Sequence, residues 1–252
     1  MGMSGSSAVA VACAGGFEVE FAGESGERRR GSLASCWDSP FERAAPVRSF
    51  PSVKGRGNYP GLWWAATSGR HVGFESWAER DVAMMLDFDP LVMAFSSQPL
   101  WLHWHDGKRA RRHAPDFFAR KADGTGVVVD VRPDDLVDQA AAESFAVMAA
   151  ACAEVGWEFR RTGGPPPVLA ANVRWLSGYR HPRCLRPGVA EALTRVLGRP
   201  RALLAAARAA GDPLAVLPVL YHFMWRKVIV ADLESVPLGP ECLITLAGEG
   251  QR

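Results

Sequence analysis

Between residues 17 and 21 apolar and charged side chains alternate, with Phe17, Val19 and Phe21 interleaved with Glu18 and Glu20. This period of two sets one strand face against a core. The Gly-Glu-Ser-Gly turn after it predicts a hairpin, its second strand drawn from Glu27–Ala34. Cys36 to Trp64 is rich in Pro, Gly, Trp and Arg without any period, which predicts an ordered loop or a wrapping arm. The period lengthens over Glu75–Pro90, predicting a helix with Trp77, Val82, Met85 and Leu86 inward and Pro90 as its stop. Val92–Trp104 reads as one alternating strand. Two more, His113–Lys121 and Thr125–Pro133, are joined by the turn Ala-Asp-Gly-Thr-Gly. Strong helix formers then fill the stretch up to Gly156, and Trp157–Gly163 predicts a last short strand. The expected result is a mixed sheet with helices packed on it.

Gly163–Pro167, "GGPPP", marks a boundary, because consecutive glycines and prolines end regular structure. Beyond it three helices are predicted, Val189–Leu197, Arg201–Ala210 and Pro213–Trp225, then two short strands around a turn in Lys227–Leu246. That order predicts a small winged-helix-like domain. The expected division is a weakly ordered start over 1–16, a first domain over 17–164 and a second over 165–252.

The chain has 252 residues, 48% of them hydrophobic, enough for a packed core, so disorder is excluded over most of it. With 29 Lys and Arg against 27 Asp and Glu, total charge does not mark a nucleic-acid binder, and any electrostatic case rests on local clusters. Five scattered cysteines without a CxxC pair argue against a zinc site or disulfide framework and predict a cytoplasmic setting. The small-residue start ending at Cys13 lacks the basic opening of a signal peptide, and Gly2 with Ser6 matches a myristoylation pattern of low specificity.

The chemistry concentrates in Arg111–Pro133. Asp116 follows a proline, and Asp130 interrupts a run of valines. The two stand on strands joined by a tight turn, so a hairpin brings them side by side. Arg132, two residues after Asp130, shares its face by the period of two. Glu79 on the preceding helix adds a third carboxylate if that helix packs over the sheet, and Glu75, one turn away, competes with it. Such hard oxygen ligands suit Mg²⁺ and phosphodiester cleavage. The alternative is structural: Asp116 caps a turn, and Asp130 pairs with Arg132 or Arg111. Basic residues cluster nearby: Lys108, Arg109, Arg111 and Arg112, then Arg160 and Arg161, then Arg174, Arg180, Arg183 and Arg186. They suggest phosphate contacts. His103, His105 and His113 read as polar strand positions, since nothing completes a zinc set. Serine and cysteine nucleophile motifs are absent, and "GRGNYPG" lacks the Lys-Ser/Thr of a phosphate loop.

The stretches "PVRSFPS", "GLWWAATSGRHVGFESWAERD", "LDFDP", "SQPL", "HAPDFFARKADG" and "VVVDVRPDD" cover about half the chain. As a set they closely resemble the TnsA-like endonuclease subunits of heteromeric transposases. The resemblance implies a restriction-endonuclease-like α/β fold and a PD-(D/E)xK site on Glu79, Asp116, Asp130 and Arg132. The metal, Mg²⁺ or in its place Mn²⁺, would be held by Glu79, Asp116, Asp130 and the Val131 carbonyl. Glu75 and Gln98 are accessory candidates, and Lys108, Arg109, Arg111 and Arg112 would face DNA. The implied partners are transposon-end double-stranded DNA, a DDE transposase subunit and an ATP-dependent regulator, with no membrane. Arg132 departs from the family's lysine, which leaves open an assembly subunit without turnover. A stand-alone nuclease is the third reading.

Overall fold

The structure, a computed structural model, describes residues 16–23, 26–49 and 59–248. The expectations for residues 1–15 and for most of the loop after Phe50 lie outside the described residues. The architecture is mixed α/β, with several sheets, one of them mixed, and seven α-helices among the described residues. Contacts divide the chain into two units: 1–62, 72–79 and 92–163 form the first, and 63–71, 80–91 and 164–252 the second. The second unit thus takes in two segments that precede the Gly-Pro stretch as well as everything after it.

In the first unit, β1 (Glu18–Ala22) and β2 (Arg28–Ser32) form the predicted hairpin, followed by the one-turn α1 (Leu33–Cys36). Val19 and Phe21 are buried, while Glu18 and Glu20 face out to Arg30 and Arg28 across the strand pair. β3 (Gly61–Ala65) and β4 (Arg70–Phe74), whose residues are divided between the two units, pair as a two-stranded sheet ahead of α2 (Trp77–Phe88), most of which belongs to the second. Then come β5 (Val92–Ser97), β6 (Leu100–His105), β7 (Ala110–His113), β8 (Phe117–Lys121) and β9 (Gly126–Val131). After α3 (Gln139–Glu154), β10 (Glu158–Thr162) closes the unit. One sheet has the order β2-β1-β6-β7 and the other β10-β9-β8-β5, with β10 parallel to β9 and the remaining pairs antiparallel. The core holds Val19, Phe21, Leu100, Leu102 and Trp104 of the first sheet, Phe118 and Val128 of the second, and Val147, Met148, Ala151 and Cys152 of α3.

Two strand expectations are corrected. Val92–Trp104 is two strands in two sheets, β5 beside β8 and β6 between β1 and β7. The break falls at Gln98, whose φ of 46° lies in the left-handed region, and at Pro99, which has no amide to give a ladder. Likewise His113–Lys121 is interrupted. β7 ends at His113 in the first sheet, and β8 begins at Phe117 in the second. The two corners lie together, since the Gln98 amide donates to the Asp116 carbonyl at 3.0 Å.

In the second unit the core gathers Met84 and Phe88 of α2 with α4 (Pro167–Ser177), α5 (Pro187–Val196), α6 (Leu203–Ala210) and α7 (Pro213–Trp225). The strands β11 (Arg201–Ala202), β12 (Ile229–Val230) and β13 (Leu243–Leu246) form a sheet in the order β11-β13-β12. Helix α4 was not foreseen. Of the prolines read as a linker, Pro166 is instead the N-cap and Pro167 the first helical residue, where no amide partner is needed. The inward set assigned to α2 is also corrected: Val82, Ala83, Met84, Leu86 and Phe88 are buried, whereas Trp77 is 52% exposed.

Candidate active site

The two sheet-changing corners of the first unit build the site. β8 and β9 pair with Phe117 opposite Val129 and Phe118 opposite Val128. Continuing that register by one residue sets Asp116 beside Asp130 on the face shared by Phe118 and Val128. The valine run around Asp130 fits a strand covered on both faces, and Asp130 itself is 2% exposed. The Val131 amide donates to Asp116 Oδ2 at 2.7 Å. His113, the last residue of β7, lies with Nε2 2.9 Å from Asp130 Oδ1 and 3.0 Å from Oδ2. The histidine read as an ordinary strand position is therefore the partner of the buried aspartate, in place of Arg132 or Arg111.

Glu79 arrives on the first turn of α2. Ser76 Oγ accepts from the Glu79 amide at 3.2 Å and donates to Glu79 Oε1 at 2.9 Å. Glu79 Oε2 takes the Glu75 amide at 2.8 Å. Ser76 thus caps the helix in a Ser-x-x-Glu sequence, while the Glu79 carboxylate reaches back to the Ser76 hydroxyl and the amide one residue before it, and these bonds fix where Glu79 stands. Glu75 serves differently: its carboxylate accepts from Arg48 Nη2 at 2.7 Å and from Gln98 Nε2 at 3.1 Å. Gln98 is 1% exposed, and its Oε1 is buried without a partner.

Glu75, Glu79, Asp116 and Asp130 line one cavity of about 450 Å³ together with Arg48, Arg112, His113, Val131 and Arg132. Burial, then the charges of Asp130 and Glu79, push the Asp116 carboxyl well above the usual carboxylate range, against the Val131 amide and Arg48. Burial chiefly raises Glu79 as well, opposed by the Glu75 amide and the Ser76 hydroxyl. A wall of acids that resist ionising together is one that a cation stabilises. Among the described residues no three His, Cys, Asp or Glu side chains are grouped closely enough to hold one ion. Mg²⁺ characteristically takes one or two carboxylates and keeps its remaining positions for water and phosphate oxygens, so the paired Asp116 and Asp130 suit it in donor type and charge.

Arg132 lines the cavity, and its Nε donates to the Leu136 carbonyl at 3.0 Å. The Arg112 guanidinium stacks over Trp101 at 4.3 Å and is also in the lining. Arg111 and Arg109 lean toward Asp106, at 3.5 Å and 4.0 Å, and Lys108 is exposed on the same turn. Other basic positions have structural roles: Arg161 binds the Arg132 carbonyl, Arg174 pairs with Asp81, and Arg160 pairs with Glu158. Arg180 is half-buried over Trp63 and donates to the Trp64 carbonyl at 3.0 Å. His103 pairs with Glu20, away from Asp130.

No family model matches the chain, and no curated protein matches it. Sequence reasoning missed His113 and Arg48. The signal for His113 was its place three residues before Asp116, at the end of a strand whose break was not recognised. Arg48 had only its membership in "PVRSFPS". No described helix is long and apolar enough to cross a membrane.

Proposed function

We propose that the chain is a Mg²⁺-dependent DNA endonuclease with a restriction-endonuclease-like first domain and a winged-helix-like C-terminal domain, similar to the TnsA-like subunits of heteromeric transposases. The observation that carries the reading is that Glu79, Asp116 and Asp130, from three separate elements, open on one polar cavity flanked by arginines. Asp116 and Asp130 would hold the ion, with Glu79 beside them. When bound, it supplies an activated water and neutralises charge at phosphorus. Arg132 contributes fixed positive charge rather than proton transfer, because a guanidinium stays protonated. Arg112, on its Trp101 ledge, and the exposed Lys108 and Arg109 turn offer phosphate contacts that keep the duplex backbone over the acids. The substrate would be transposon-end double-stranded DNA, and the partners a DDE transposase subunit and an ATP-dependent regulator.

The test is a nicking assay on transposon-end DNA with Mg²⁺ or Mn²⁺, with and without the transposase subunit. Cleavage by wild type and none by Asp116→Ala is the expected result. A second reading, an assembly subunit without turnover, draws on His113 occupying Asp130 and on Arg132 in the place of lysine. Binding of the partner and DNA with no cleavage under any of these conditions would favour it.

A further inference from the structure

Asp130 is 2% exposed, and a carboxylate so buried needs a donor to offset its lost hydration. Arg132, the cation nearest in sequence, spends its Nε on the Leu136 carbonyl. The donor comes instead from the other sheet: His113 Nε2 spans both Asp130 oxygens at 2.9 Å and 3.0 Å. The imidazole is itself held, with its ring edge against Phe145 of α3 at 6.3 Å between centroids. Its side chain is 26% exposed and lines the same cavity as Asp116.

Each carboxylate oxygen has two lone pairs, so Asp130 can accept from His113 and still face a cation with the remainder. Hydrogen bonds of this kind to a ligand carboxylate fix its orientation, and their loss typically weakens metal affinity about 10–100-fold. We propose that His113 is a positioning residue for Asp130, presenting its carboxylate to the divalent cation from a strand of the opposite sheet. The inference rests on the metal-dependent reading of the cavity. It adds to the four-residue site a fifth residue that acts through Asp130.

The experiment measures Mn²⁺ binding to the full-length protein by electron paramagnetic resonance, well below the melting temperature, with near-ultraviolet circular dichroism to verify folding. His113→Ala should weaken Mn²⁺ binding about 10–100-fold, whereas His113→Gln, which keeps an N–H donor, should stay within a few-fold of wild type. A purely structural role would lower the melting temperature in both variants and leave Mn²⁺ affinity unchanged. Should His113→Ala fail to fold, His113→Met fills the space without a donor and carries the same expectation. Wild-type affinity in a folded His113→Ala or His113→Met protein overturns the proposal. A wild type that binds no Mn²⁺, measured beside Asp130→Asn, overturns the metal reading and this inference with it.

Discussion

The Val131 amide donates to Asp116 Oδ2 at 2.7 Å, tying the residue just before β8 to the last residue of β9. That bond favours the ionised carboxylate, yet burial and the charges of Asp130 and Glu79 outweigh it, and the Asp116 pKa is raised. A raised carboxylate binds more protons in the folded than in the unfolded state. Unfolding free energy therefore falls as pH rises from the unfolded carboxylate range through the folded pKa. Asp116→Asn keeps an acceptor for Val131 and removes the charge. It should melt above wild type at pH 8, by at least ~2 °C, and the gap should close toward pH 4. Thermal scans across that range decide it; equal melting at pH 8 counts against the account.

A divalent cation should relieve the same repulsion. Mn²⁺ at about a hundred times its dissociation constant should stabilise wild type by roughly 2.7 kcal/mol, and chelation should reverse the effect. Asp116→Asn and Asp130→Asn should respond little. Thermal shifts of equal size in all three proteins would show that the ion binds elsewhere.

Gly126 starts β9 where a Cβ would lie 2.7 Å from Trp157 Cδ1 and 2.8 Å from Phe118 Cζ. Phe118 is buried and Trp157 nearly so, and ring carbons cannot retreat as a flexible chain end can. Gly126→Ala should destabilise the fold by about 1–3 kcal/mol, the usual range for overpacking. Urea unfolding would measure it, and an unchanged midpoint would mean that the rings have room to move.

The β8–β9 hairpin was legible because its cues are local: two apolar runs, a glycine turn, and acids at matching ends. Helix α2 was legible for the same reason, from its apolar spacing and the stop at Pro90, whereas the Ser76 cap that fixes Glu79 was not used. The corners were not. The alternation is interrupted at Ser96–Pro99 and at Ala114–Pro115, but an interruption of that kind reads the same whether the strand is kinked or the chain passes to the other sheet. Which sheet a strand joins is settled by long-range pairing, here β6 with β1, some eighty residues earlier. His113 was misread as a consequence, since its partner is on a strand of the other sheet. The prolines before α4 were read as stopping structure when they start it; the difference lies in the apolar face that Val173 and Leu176 bury, two turns further along.

The region after Gly163 reads in sequence as a separate winged-helix-like domain. Met84 and Phe88 of α2 are buried with Leu220 and Trp225, the rings of Phe88 and Trp225 lying 5.0 Å apart. Removing 164–252 strips these partners away. The fragment 1–163 should bind a hydrophobic dye and lose the sharp unfolding transition of the whole chain. A fragment that unfolds as cooperatively as the full protein would show that the segment 80–91 does not depend on the core it occupies.

Arg132 is where the lysine of the resembled pattern is replaced, and its side chain lines the cavity while Nε holds the Leu136 carbonyl. That bond anchors the arginine to the turn after β9, so its charge is held in place before any substrate arrives. A preorganised charge of this kind acts on the transition state without reorganising, and losing one such contact lowers turnover by about a hundredfold or more. Arg132→Ala should therefore cut metal-dependent nicking by that factor with little change in DNA binding. Arg132→Lys keeps the charge and should keep or raise the rate. Single-turnover nicking with the transposase subunit present separates the cases: cleavage by Arg132→Ala as fast as wild type would show that the charge has no part in the chemical step.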